Sequence, residues 1–118
     1  MKTPGPDHPI TVAPAGTRVT VRAGGRVIVD TTEALALRES TYPVVYYVPL
    51  TAVDPAVLKR TATSTYCPYK GDASYYSVVT PEGEITDAVW EYREPYPAVQ
   101  EIAGHVAFYP NKVAVGVA

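Results

Sequence analysis

Apolar and polar positions alternate along most of this chain with the period of two that marks half-buried strands. Arg18-Val19-Thr20-Val21-Arg22 is the clearest run. Ala23-Gly24-Gly25 reads as a turn, and Arg26 to Asp30 returns as the second arm of a hairpin. Ala34 to Glu39 alternates more weakly and predicts a third strand. Val44 to Val48, with Tyr46 and Tyr47, predicts a fourth that Pro49 ends. Ser74 to Thr80 and Ile85 to Tyr92 predict a hairpin about Pro81-Glu82-Gly83-Glu84. Ala103 to Tyr109 and Val113 to Val117 predict a last hairpin about Pro110-Asn111-Lys112.

Helical signals are few. Asp54-Pro55 is a clear start, because Asp at the N-cap accepts a backbone N–H and Pro at the first position loses no hydrogen bond. Only Ala56 to Arg60 follow, enough for a turn or two. Ala98 to Ile102 predicts another short turn after the break at Glu94-Pro95-Tyr96-Pro97. The expected fold is therefore mainly β, a single compact domain of short antiparallel strands as a small sheet protein or partial barrel. Residues 1–16, with Pro4, Pro6, Pro9 and Pro14, read as a Pro-rich N-terminal arm, mobile or covering a sheet edge; residues 17–118 read as the β domain.

Composition narrows the function classes. At 118 residues the chain is one domain, long enough for a core without disulfide or metal staples. A net charge of −2 and a pI of about 5.6 give no reason to expect a nucleic-acid partner. The single cysteine excludes an internal disulfide and a multi-cysteine zinc site, and only His8 and His105 remain as soft ligands, so no metal and no cofactor are expected. Met1 to Pro14 has no apolar run of the signal-peptide kind, and no segment nears the roughly 20 apolar residues of a membrane helix. The expectation is a cytoplasmic protein without a membrane partner.

Thr65 to Ser77 carries the densest chemistry. It holds the one cysteine, a lysine three residues on, and Tyr66, Tyr69, Tyr75 and Tyr76 of the ten tyrosines. Cys67-Pro68-Tyr69-Lys70 has the spacing of a metal knuckle, but an ammonium cannot ligate zinc. A neighbouring Lys⁺ favours a thiolate, which makes Cys67 a candidate nucleophile; the plainer alternative is an inert core cysteine beside a solvated turn lysine. Arg38 and Glu39 point to opposite faces if their strand is extended. Arg38 could then clamp an anionic ligand group, or Glu39 could act as a general base; a surface ion pair is the alternative. Trp90, Tyr92 and Glu94 share one face if their strand stays extended, and Tyr75 and Tyr76 oppose each other on its partner. His105 in its strand and His8 in the arm are given no role.

The pieces resemble a known family. The Gly-Gly hairpin before Val27-Ile28-Val29-Asp30, Ala34-Leu35-Ala36-Leu37-Arg38-Glu39, Tyr46-Tyr47-Val48-Pro49, Thr65 to Ser77, Ala88 to Tyr92 with Glu94-Pro95, and Gly104-His105-Val106-Ala107-Phe108-Tyr109 closely resemble the small bacterial family known as domain of unknown function 427. The resemblance spans roughly residues 17–112 and is most specific at Cys-Pro-Tyr-Lys-Gly followed by Ala-x-Tyr-Tyr-Ser. It implies coiled sheets of the β-tent type and no established activity, although some members carry a nucleotidyltransferase label. Lys70-Gly71-Asp72 departs from the Lys-x-Asp-Gly order of covalent nucleotidyl transferases, and no phosphate-binding glycine loop is present.

The leading expectation is a polar-aromatic pocket around the Cys67-to-Asp72 turn that holds a small polar or anionic molecule. Arg38 and Lys70 would supply charge, Tyr47, Tyr69, Tyr76 and Trp90 walls, and Asp72 a further contact. Covalent chemistry at Cys67, assisted by Lys70 and Glu39, is the catalytic version. The alternative is a non-catalytic interaction module whose strand edges pair with a partner or form a homodimer. Nucleotidyl transfer ranks third.

Overall fold

The computed structural model describes all of residues 1–118 as ten strands in two antiparallel sheets, neither of them closed. The strands are β1 (Ile10–Pro14), β2 (Val19–Ala23), β3 (Arg26–Thr31), β4 (Leu35–Glu39), β5 (Val45–Pro49), β6 (Leu58–Cys67), β7 (Gly71–Thr80), β8 (Gly83–Glu91), β9 (His105–Phe108) and β10 (Ala114–Val117). The larger sheet runs β1-β4-β5-β9-β8-β7-β6, and the smaller runs β10-β2-β3. Short 3₁₀ turns at Leu50–Ala52, Pro55–Val57 and Pro97–Ile102 are the only helical pieces. No helix is long and apolar enough to cross a membrane. The expected mainly β architecture with short helical turns is the observed one.

Three layers follow from strand alternation. One face of the seven-stranded sheet, with Val48, Tyr76, Val78, Val89, Val106 and Phe108, packs on Val19, Val21, Ile28 and Val29 of the smaller sheet. The opposite face carries Leu37, Tyr47, Ala73, Tyr75 and Ala107, and the 3₁₀ turn at Pro97–Ile102 covers it with Val99 and Ile102. Tyr75 and Tyr76 therefore do enter opposite cores, as their adjacency predicts.

Three local expectations are corrected, and the arm takes its edge-covering form. The arm is partly a strand: β1 pairs with β4 from Ile10 opposite Glu39 to Pro14 opposite Leu35 and so covers that sheet edge. The helical turn after Asp54 stops at Val57, where the Asp54 side chain accepts the Ala56 N–H at 2.9 Å, and Leu58 already opens β6. That strand is Thr- and Ser-rich and mostly exposed, so it lacks the apolar alternation by which strands are recognised. Finally, β9 and β10 do not form a hairpin. β9 lies between β5 and β8, whereas β10 crosses to the other sheet and pairs with β2. Their connection resembles a hairpin turn locally, but burial on both sheets decides the pairing.

Three neighbouring strands bend together. β6 shifts register between Arg60 and Ser64, and β7 between Tyr76 and Val78. In the facing stretch of β8, Asp87 takes a left-handed φ of 49°. Its carboxylate accepts the Thr61 hydroxyl at 2.7 Å and the Thr63 hydroxyl at 2.6 Å, while its N–H donates to Ser77 Oγ at 3.1 Å. A short polar side chain that bonds locally makes this conformation tolerable. The Thr63 and Thr61 hydroxyls hold the Asp87 carboxyl below its usual range. Asp87→Ala should therefore lower the melting temperature, and Asp87→Asn, which keeps one acceptor, should lower it less. Thermal denaturation followed by circular dichroism checks this, and an Ala variant that melts with the wild type would refute it.

Candidate functional site

Glu39 ends β4, opposite Ile10 of β1. Alternation puts Leu35, Leu37 and Glu39 on the inner face and leaves Arg38 exposed on the other. The ambiguity between the two neighbours is thus resolved by the sheet, with Glu39 inward. Ser40 follows with φ 50° and donates its N–H to the Pro9 carbonyl at 2.8 Å, so the end of β4 is tied to the arm.

The carboxylate of Glu39 is held from both sides. Lys70 Nζ donates to Oε1 in a close ion pair. His8 Nε2 bonds Oε2 at 2.8 Å. The three side chains are only 11% (Lys70), 13% (Glu39) and 22% (His8) exposed, so solvent screens the cluster weakly. Tyr69 stacks on His8 with ring centroids 4.1 Å apart and planes 7° from parallel, and Tyr42 meets the His8 ring edge-on. Burial pushes the Glu39 carboxyl up, and the hydrogen bonds from Lys70 and His8 more than offset it, so it sits below its ordinary value.

The turn that carries Lys70 is built from both flanks. Cys67 ends β6, and its carbonyl accepts the Lys70 N–H at 3.2 Å, so thiol and amine do share one turn. Gly71 opens β7 with φ 111°, a conformation that side chains rarely adopt, and an added Cβ would lie 3.4 Å from the Glu94 carbonyl. The Lys70 carbonyl accepts the Tyr96 N–H at 3.0 Å, and the Pro68 carbonyl accepts the Lys2 N–H at 2.7 Å. Within this frame the Lys70 ammonium turns to Glu39. Cys67 is half-buried and packs against the inner core.

A tyrosine-rich layer lies behind the carboxylate. The Tyr47 hydroxyl accepts the Trp90 indole N–H at 3.3 Å. Trp90 also lies against Tyr109, centroids 4.4 Å apart, and the Tyr75 hydroxyl bonds Thr65 at 2.9 Å. Burial pushes the Tyr47 and Tyr92 hydroxyls well above their ordinary value of 10, and the Glu39 charge presses the same way. Burial and the Tyr75 hydroxyl raise Tyr109 to about 12. These phenols are neutral across ordinary pH.

A cleft of about 410 Å³ opens beside this cluster. β5 and β9 bond only at Val48–Val106 and Pro49–His105. Beyond these pairs the strands part, and the gap is lined by Val45 and Tyr46 on one side and Phe108 and Pro110 on the other. Trp90, Tyr42, Glu39 and residues of the smaller sheet complete the lining, and Glu39 is its only charged side chain.

Of the residues singled out from sequence, Glu39, Lys70, Tyr69, Tyr47, Trp90 and Cys67 lie in or behind this region. Arg38 and Asp72 are exposed and outside it. Tyr76 faces the other core, where its hydroxyl donates to Glu91 at 2.9 Å beside Arg93. Tyr92 shares the inner face with Trp90, but Glu94 lies past the end of β8 and is exposed. The Nδ1 of His105 bonds the Ala103 carbonyl at 2.9 Å. The cleft is not lined by the Cys67-to-Asp72 turn, which reaches it only through the Lys70–Glu39 pair. Sequence reasoning missed His8 and Tyr42. His8 shares strand parity with Ile10 and Val12, a faint signal, but its partner lies 31 residues away.

Two outcomes test the cluster. Glu39 sits below its ordinary 4.5 in the folded state, so in the window beneath that value the unfolded chain binds the proton first. Stability is then present above 4.5 and lost as pH falls through the folded value. Urea denaturation from about pH 6 to about pH 3 should show a steeper acid loss for wild type than for Glu39→Gln. Parallel curves would count against the pairing. Lys70→Met should cost roughly 1–3 kcal/mol, as for a part-buried charge left without its partner, and far less in the Glu39→Gln background. A double-mutant cycle with no coupling would show that the pair contributes nothing.

Comparison with known proteins agrees with this description at the level of family. The family model NTP_transf_9, a domain of unknown function designated DUF427, matches residues 11–118. No curated protein matches the chain. With the match running from within β1 through β10 and including both Glu39 and Lys70, this chain belongs to the domain of unknown function 427 family.

Proposed function

We propose that this domain binds a small molecule in the cleft between β5 and β9, with an apolar body against the walls and a polar head group at Glu39. The observation that carries this reading is the isolation of one fixed carboxylate in an otherwise apolar and aromatic lining. Ligand sites are typically concave, of roughly 300–1,000 Å³, with few polar groups in fixed places. The cleft meets that description, and Lys70 and His8 fix the one charged group before any ligand arrives.

The competing readings draw less support. Strand addition at β6 is hindered by its bulge and by Lys59 and Arg60, features that blunt sheet edges. Nucleotidyl transfer would need Lys70 as a free amine and a basic cradle for phosphates. Lys70 is paired with Glu39, and no Lys or Arg lines the cleft. Cysteine chemistry at Cys67 would have to take place outside the cleft, because the half-buried thiol is not part of its lining.

Trp90 is the only tryptophan and lines the cleft, so it is an internal reporter. Fragments with aromatic or branched aliphatic bodies, carrying neutral, cationic or anionic heads, should include binders that shift Trp90 emission and raise the melting temperature. Val115→Phe, which fills the lining, should abolish the response while the protein stays folded. Fragment binding that leaves Trp90 emission unchanged, or survives the filled cleft, would overturn the reading.

A further inference from the structure

We infer that the head group recognised at Glu39 is a neutral hydrogen-bond donor, such as a phenol, alcohol, indole or amide N–H, rather than a cation or an anion. The inference rests on the cleft being a binding site, as proposed above, and follows from the charge balance at its one charged side chain.

Glu39 would ordinarily select a cation. Here its charge is already matched by Lys70, whose ammonium sits on Oε1 with both side chains nearly buried. A second cation entering the apolar cleft would leave its hydration shell and meet a pair of no net charge, with the Lys70 ammonium close behind the carboxylate. Its desolvation would go largely uncompensated. An anion would lose its water and face the carboxylate oxygens directly, with no Lys or Arg in the lining to receive it. A neutral donor has a much smaller desolvation cost.

The carboxylate can still serve such a donor. An ionised carboxylate accepts about four hydrogen bonds, and Lys70 and His8 occupy one on each oxygen. Lone pairs therefore remain on a group that is already oriented, so little ordering is required on binding. Trp90, Tyr46 and Phe108 then offer flat apolar contact to the body of the ligand.

A matched series separates the head group from the body: 4-propylphenol, 4-propylbenzylammonium, 4-propylbenzoate and propylbenzene. Affinities are measured on the wild-type protein by Trp90 fluorescence and by amide chemical shifts, at about pH 8, where the amine probe is charged and the phenol is neutral. The phenol should bind about tenfold tighter than each of the other three. If the ammonium or the benzoate binds tightest, the neutral-donor assignment is overturned while the cleft stands as a binding site. Equal affinity for phenol and propylbenzene would also overturn it, since Glu39 would then contribute nothing. Absence of any response at Trp90 and the cleft amides would overturn the binding reading itself, and this inference with it. Lys70→Met supplies a second measurement: unmasking Glu39 should move the preference to the ammonium by about tenfold. An unchanged ranking in the folded variant would refute the charge-balance explanation, and the wild-type series decides the question if that variant does not fold.

Discussion

A carboxylate that is nearly removed from water must be met by donors, and in this domain the donors come from remote stretches of chain on either side of it. His8 lies 31 residues before Glu39 and Lys70 31 residues after it. Satisfying one side chain therefore fixes the arm against the β4 edge and the β6–β7 turn against both. The backbone bonds from Lys2 to Pro68, from Ser40 to Pro9 and from Tyr96 to Lys70 reinforce the same junction. The cluster is more than a salt bridge on a surface, because leaving any one member unpaired would strand a part-buried polar group. No buried side-chain nitrogen or oxygen in the structure lacks a partner.

The cleft owes its existence to the opposite tendency, a place where pairing stops. β5 and β9 share two residue pairs and then part, so the seven-stranded sheet carries a split near its middle. The strands beyond that split are bent by matched irregularities at Arg60–Ser64, Tyr76–Val78 and Asp87, which strengthen the coiling of the sheet around the smaller one. Packing and site are thus parts of one arrangement: a sheet that coils enough to cover a second sheet also opens enough to admit a ligand-sized body.

The tyrosines link the two. A phenol fills core volume and keeps a polar tip, and here the tips bond one another, Thr65 or Trp90. Tyr47, Tyr75 and Tyr109 form a layer that is apolar in bulk and hydrogen-bonded at its ends, immediately behind the cleft. The sequence's preference for tyrosine over phenylalanine reflects this need for bulk that can also satisfy a neighbour.

Local alternation, turn residues and caps determined most of the strands, the Gly24–Gly25 hairpin, the Asp54 cap and the absence of long helices, since each depends on residues close in the chain. The Cys-Pro-Tyr-Lys-Gly turn and the family resemblance were legible for the same reason. The tertiary structure alone decided what depends on distant partners: β10 crossing to β2, the exposed strand β6, the inward choice of Glu39 over Arg38, and the capture of His8 by a carboxylate. Sequence pattern records which side chains prefer burial. Which donor meets which acceptor is settled only when strands remote in sequence come into register, and in this protein that pairing builds the Glu39 cluster.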